Sequence, residues 1–183
     1  MTLKLLGLCG SLRAASFNRK LMLEAARRFG AAEFGEGNLR LPLYDGDLEA
    51  KYGVPADVQT LADQVAGAHA VLVVTPEYNQ SLSGVLKNAL DWISRVEGSP
   101  WRDKPVALLS AAAGRAGGAR ANYALRLCMA PFRPVVVNGP EVLIASPSKE
   151  FDEAGNLADG RYAQDLDALM ATLRAQAEQR QVG

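Results

Sequence analysis

The sequence predicts a three-layer α/β domain: a five-stranded parallel sheet, strand order 2-1-3-4-5, with helices on both faces. Three observations carry this. Strand-like and helix-like segments alternate five times along the chain, the pattern of a parallel sheet with right-handed crossovers. Several strand segments are apolar throughout, as strands covered on both sides must be. Residues 1–183 are enough for one domain with a full core, and they hold no linker, internal repeat or low-complexity tract.

The elements follow in order. Leu3 to Leu8 is a short apolar run that ends in Cys9-Gly10-Ser11, a buried strand followed by a loop. A helix begins near Asn18, with Leu21, Ala25 and Phe29 on one stripe and Lys20, Glu24 and Arg28 off it. Ala31 to Leu39 is a weaker strand candidate, followed by the loop Leu41 to Asp45. Pro55 opens a helix that runs to about Gly67. His69 to Thr75 is a continuous apolar strand. Leu82, Val85, Leu86, Ala89, Leu90 and Ile93 then keep the helical period. Pro105 to Leu109 is the fourth strand, Ala119 to Met129 the fourth helix, and Pro134 to Val137 the fifth strand. Val142 to Ile144 extends that strand or pairs with it. A last helix carries the stripe Tyr162, Leu166, Leu169, Met170, Leu173 and Ala177.

Composition removes several function classes. Lys plus Arg number 20, and so do Asp plus Glu. A nucleic-acid binder normally has a basic excess, and an electron carrier docking on basic partners an acidic one. No apolar run can span a bilayer. Met1 to Gly10 shows no basic n-region and no cleavage site, so no signal peptide is expected. Cys9 and Cys128 are far apart and read as buried, inert thiols in a reducing cytoplasm. His69 is the single histidine, too few ligands for a zinc site, so no metal is expected and His69 reads as structural.

Chemistry in such a sheet falls to the loops after strands one, three and four, beside the strand-order switch. The first loop, Gly10 to Asn18, enters a helix whose free N–H groups suit an anion. Ser11, Ser16 and Asn18 offer donors there, and Arg13 a fork that fits phosphate. An ordinary N-cap with a solvated arginine is the alternative. The loop is neither a P-loop nor a G-x-G-x-x-G turn. In the second loop, Thr75 to Gly84, Pro76 stiffens the strand exit, and Tyr78 offers a flat apolar face. Glu77 and Asn79 could read a heterocycle's edge, or the segment is only a turn and a cap. The third loop, Ser110 to Gly118, is small enough for a ring to approach its backbone, or it is merely flexible. There is no G-x-S-x-G and no histidine beside a candidate nucleophile. That absence fits a cofactor that carries the chemistry.

These segments resemble the NADPH-dependent FMN reductase family, flavodoxin-like proteins that include quinone, azo-dye and chromate reductases. The matching stretches are GSLRAASFN at Gly10–Asn18, LPLYDGDLE at Leu41–Glu49, TPEYNQSLSGVLKNALDW at Thr75–Trp92 and GGARANYALR at Gly117–Arg126. The resemblance implies an FMN-dependent oxidoreductase. Hydride would pass from NADPH or NADH to flavin N5, and then to a small acceptor such as a quinone. It implies that Ser11, Arg13, Ser16 and Asn18 bind the FMN phosphate, and that Glu77, Tyr78, Asn79 and Gln80 run along the ring. Ala112 would touch the ring's other edge, with Phe17, Pro76 and Gly114 in the same site. No side chain is implied as a catalyst. Ala111, Ala112 and Ala113 stand where relatives often carry Ser or Pro, which removes side-chain hydrogen bonds there. Arg102 and Arg115 are the candidates to meet a 2′-phosphate of NADPH. The helix Ala119 to Met129 is apolar on two sides, which implies a homodimer or homotetramer with Arg120, Tyr123 and Glu141 as polar partners.

Overall fold

Successive side chains of a strand point to opposite faces, and the buried run β3 (Ala70–Thr75) uses both. Ala70, Leu72 and Val74 join one core, Val71 and Val73 the other. β4 (Pro105–Ala112) does the same, with Ala107, Leu109 and Ala111 opposite Val106 and Leu108. Two cores on one sheet require helices on both faces. The first core is closed by α1 (Phe17–Phe29) and α6 (Arg161–Val182). The second is closed by α3 (Ala56–Gly67), α4 (Gly84–Ile93) and α5 (Ala119–Met129). The computed structural model describes residues 2–182.

The remaining strands complete the sheet. β1 (Lys4–Cys9) pairs in parallel with β3 on one side and with β2 (Glu33–Glu36) on the other. β3 pairs with β4 from Val71↔Val106 to Thr75↔Ser110. The order is β2-β1-β3-β4-β5, as the sequence predicts. The fifth position is split. β5 (Val135–Val136) pairs with Pro105 and Val106, and β6 (Val142–Ala145) pairs with Leu109 to Ala112. Both therefore lie along the same edge of β4, one after the other. β6 continues the fifth strand and carries it to the carboxyl end of the sheet.

Two elements differ from the sequence reading. The second strand is only Glu33–Glu36, because it is a sheet edge with exposed Glu33 and Glu36 and little apolar material. The loop after residue 45 contains α2 (Gly46–Tyr52), which buries no residue and so leaves no stripe to read. Its start is set by Asp45, whose carboxylate accepts from the N–H of Asp47 and Leu48. The segment before α2 is held by polar contacts to α4, and α2 itself by one to the residues just after α4. Asn88 Oδ1 accepts from Tyr44 N–H, Trp92 Nε1 donates to the Pro42 carbonyl at 2.8 Å, and Arg95 pairs with Glu49.

His69 is structural. Its Nδ1 accepts from Lys4 N–H at 2.8 Å, and its own N–H donates to the Lys4 carbonyl, which extends the β1–β3 ladder. Burial, then nearby Lys104 and Lys4, push its pKa down. Cys9 and Cys128 are half-buried, not buried as expected. Burial pushes the Cys9 thiol up. Among the described residues no helix is long and apolar enough to cross a membrane, and no three His, Cys, Asp or Glu side chains converge as metal ligands.

Lys104 joins α3 to the start of β4. It is 3% exposed, and its ammonium donates to the carbonyls of Ala66 and Ala68 at the end of α3. A cation there meets the negative end of the helix. Burial, with Arg180 nearby, pulls its pKa from the usual 10.5 to about 8. Between those values the unfolded chain binds more protons than the folded one, so this group makes stability rise with pH across that window. Lys104→Met removes that contribution. Urea unfolding at about pH 8 and about pH 10 should show wild type gaining on Lys104→Met at the higher pH. A difference that does not change with pH contradicts the assignment.

Candidate functional site

Parallel strands deliver their carboxyl ends, and the N-termini of the following helices, to one side of the sheet. The loops after β1, β3 and β4 meet there, beside the point where strand order reverses between β1 and β3. The first loop must pass close under the start of α4. A Cβ on Gly10 would stand 2.7 Å from Ser83 Oγ, the hydroxyl that caps α4. Glycine is needed at that crossing.

The loop then turns at Arg13 to Ser16, and Ser16 caps α1 by accepting from Arg19 N–H at 3.3 Å. The N–H groups of Phe17 and Asn18, in the first turn, have no helical partner. Ser11 is 9% exposed, and its hydroxyl makes no hydrogen bond to any described residue. Arg13 is exposed and pairs with no described carboxylate. Asn18 is otherwise occupied. Its carboxamide donates to the Ala111 carbonyl and accepts from Ala111 N–H, both at 2.9 Å, and it is 4% exposed. The side chain fastens α1 to the end of β4, and what it offers a ligand is its backbone N–H.

The second loop is a tight hairpin. Tyr78 and Ser81 exchange both backbone hydrogen bonds, with Asn79 and Gln80 at φ 49° and 66° between them. Two central residues at positive φ make a type I′ turn, which Asn favours and Gln adopts at some cost. Pro76 is buried and Tyr78 half-exposed. Glu77 reaches across to α5, where its carboxylate accepts from Arg120 N–H at 3.2 Å and faces the guanidinium at 3.8 Å.

The third loop is pinned. Ser110 Oγ donates to the Gly117 carbonyl at 2.6 Å, and Gly117, at φ 57°, lies so close to the Leu143 backbone that a Cβ would overlap it. Only glycine can make that approach.

These loops enclose a cleft of about 420 Å³ lined by Ser11, Arg13, Ser16, Phe17, Asn18, Pro76, Glu77, Tyr78 and Ala111 to Ala113. A second cavity of about 370 Å³ adjoins it through Glu77, Ala112 and Ala113, and takes in Gly114, Arg115 and Arg120. Both volumes lie in the range of small-molecule sites. Asn79 and Gln80 line neither cavity and stand exposed on their turn. Arg115 borders the second cavity. Arg102 does not: it lies at the amino ends of the strands, in a separate cavity of about 520 Å³ with Trp101, Cys128 and Phe132. That cavity is the largest of the three, yet it is remote from the loops, so Arg102 cannot serve a ligand in the cleft.

The sequence reading missed one wall. Ser146, Pro147, Ser148 and Lys149, in a 3-10 turn after β6, complete the cleft. The Ser-Pro-Ser punctuation after an apolar run was the available signal. Its relevance depended on β6 being parallel to β4 at the carboxyl end.

Residues 3–148 match the family model described as NADPH-dependent FMN reductase. The chain is 40% identical over 179 residues to the NAD(P)H-dependent FMN reductase PA1204 of Pseudomonas aeruginosa, covering 94% of this chain and 96% of that protein. It is 39% identical over 145 residues to the quinone reductase of Escherichia coli, covering 77% of each. Among solved structures, FerB, a flavoenzyme NAD(P)H:(acceptor) oxidoreductase from Paracoccus denitrificans, superposes with a TM-score of 0.87 at 31% identity, covering 97% of this chain and 98% of that one.

Asn18→Ala removes both bonds to Ala111, itself 3% exposed, and leaves a buried N–H and C=O unpaired. At about 1–3 kcal/mol for each such group, the variant should lose roughly 2–6 kcal/mol of stability. Arg13→Ala, at an exposed position, should change it by less than about 0.5 kcal/mol. Urea midpoints measure both. An Asn18→Ala midpoint equal to that of wild type contradicts the clamp.

Proposed function

The chain belongs to the NADPH-dependent FMN reductase family, and from that premise we propose that it is an FMN-dependent NAD(P)H oxidoreductase acting on quinones and similar small acceptors. The observation that carries this reading is one cleft with two chemically different ends. At one end lie the first-turn N–H groups of α1, the hydroxyls of Ser11 and Ser16, and Arg13, a set of donors suited to phosphate. At the other lie Pro76, Tyr78 and the pinned backbone from Ala111 to Gly114, a set suited to a flat ring.

FMN supplies the centre that takes up and gives away hydride. The chain's own residues bind and orient. The α1 N-terminus and Arg13 hold an anion without any proton transfer. Backbone N–H groups of the third loop that line the cleft would favour negative charge at a ring's edge. Glu77 is bound to α5, so it fixes the spacing of the second and third loops and is not free to act as a base. Ala111, Ala112 and Ala113 offer no hydroxyl, which leaves recognition there to the backbone. Arg115, which borders the second cavity, is the cation proposed to meet a 2′-phosphate of NADPH. The two half-buried thiols fit a reducing cytoplasm.

We also propose a homo-oligomer. On α5, Tyr123 and Leu127 are 54% and 76% exposed, so no other element of this chain covers that side. Tyr123 OH donates to Glu141 at 3.3 Å, and Arg120 is paired with Glu77, which presents a polar border around the apolar patch. A second copy would cover it.

Two measurements test these readings. Donor and acceptor share one ring-binding region, so initial rates at several fixed quinone concentrations should give parallel double-reciprocal lines. Intersecting lines mean that both are bound together, and the shared region has to be abandoned. Light scattering on a sizing column should give at least a dimer mass, and a monomer at micromolar concentration removes the oligomer.

A further inference from the structure

We infer that Lys149 is a second cationic determinant of the phosphate end, so that the cleft selects a phosphorylated flavin over its unphosphorylated form. The inference rests on the flavin reading of the cleft. It starts from the wall contributed by residues 146–149. Ser146 sits in the left-handed region at φ 47° and ψ 52°, unusual for a residue with a side chain. Its N–H donates to the Ala112 carbonyl at 3.1 Å, and its carbonyl accepts from Lys149 N–H at 2.9 Å. The turn is therefore tied to the end of β4 at the middle of the cleft.

The next few residues of the chain are tied to α1. Phe151 packs on Phe17 with ring centroids 6.1 Å apart, and Lys20 Nζ donates to the Asp152 carbonyl at 3.1 Å. Residues 151–157 close a small hairpin through Phe151 and Leu157. Lys149 is thus carried on a fixed wall beside the helix N-terminus. The left-handed conformation of Ser146 persists because the surrounding bonds over-determine it.

Charge points the same way. Arg13 and Lys149 both line the cleft, and neither pairs with a described carboxylate. Of the neighbouring cations, Arg19 pairs with Glu36 at 2.6 Å and Lys20 donates to the Asp152 carbonyl, so neither is available to a ligand in the same way. Among the described residues Glu77 is the only acid lining the cleft, and it is engaged by α5. Two cations without a carboxylate partner among the described residues thus border one cavity. Ser11, a residue 9% exposed whose hydroxyl makes no hydrogen bond to a described residue, lines that cavity too. A phosphate monoester carries a charge of about −1.5 to −2 at neutral pH. Arg13 with the α1 N-terminus answers part of that charge, and Lys149 on the opposite wall answers the rest.

The test is a fluorescence titration of the full chain, freed of flavin, with FMN and with riboflavin. Lys149→Gln should weaken FMN binding roughly two- to fivefold, the upper range for an exposed ion pair. Riboflavin binding should not change. Lys149→Arg, which keeps the charge, should bind FMN as wild type does. Arg13→Ala reports on the parent reading separately, because it should weaken FMN whether or not Lys149 contributes. FMN binding unchanged in Lys149→Gln overturns the inference and leaves the flavin site standing. So does an equal loss for FMN and riboflavin, which would make Lys149 a support of the wall and not a charge. Wild type that binds neither flavin overturns both.

Discussion

The site depends on a pair of hydrogen bonds between elements 93 residues apart. Asn18, in the first turn of α1, holds both backbone groups of Ala111 near the end of β4. A helix N-terminus attracts anions wherever it lies, but it serves a cofactor only if it is fixed against the surface that holds the rest of that cofactor. The carboxamide supplies that registration. It sets the free N–H groups of Phe17 and Asn18 at a constant position relative to Ala111–Ala113 at the ring end of the cleft. Because the pair is buried, its loss leaves groups that water cannot satisfy.

The same logic recurs in the other loops. Gly10 crosses under Ser83, Gly117 lies against Leu143, and Glu77 bonds to the start of α5. Each loop is fastened to a neighbouring element by a contact that tolerates little variation. Three loops and a turn thereby act as rigid walls, and little ordering would be needed when a ligand enters. Left-handed Ser146 falls in these walls, whereas left-handed Asn79 and Gln80 form the exposed tip of the second loop. Backbone strain of this kind collects where function requires a fixed shape.

Much of this could be read from sequence because the strong signals are local. The bounds of α5 follow from periodicity and from Gly117-Gly118 before it. The stripe of α6 matches Leu166, Leu169, Met170, Leu173 and Ala177, all buried. The unread features are the non-local ones. α2 has no buried face and shows only a capping aspartate. The role of Asn18 is invisible without Ala111 beside it, and a side-chain donor to phosphate was the natural reading. Lys149 looks like any surface lysine until β6 is placed along β4. Arg102 and Arg115 look alike in sequence, and only the fold puts Arg115 at the cleft and Arg102 at the far end of the sheet.

The central claim is that this cleft holds FMN where a reduced nicotinamide can reach it. The most direct measurement is the visible absorption spectrum of the full chain, mixed with FMN, passed through a desalting column and then treated with NADPH without oxygen. The account predicts flavin bands that stay with the protein and bleach on the time scale of turnover when NADPH or NADH is added. A colourless protein after desalting, or bound flavin whose bands persist with either nucleotide, contradicts it.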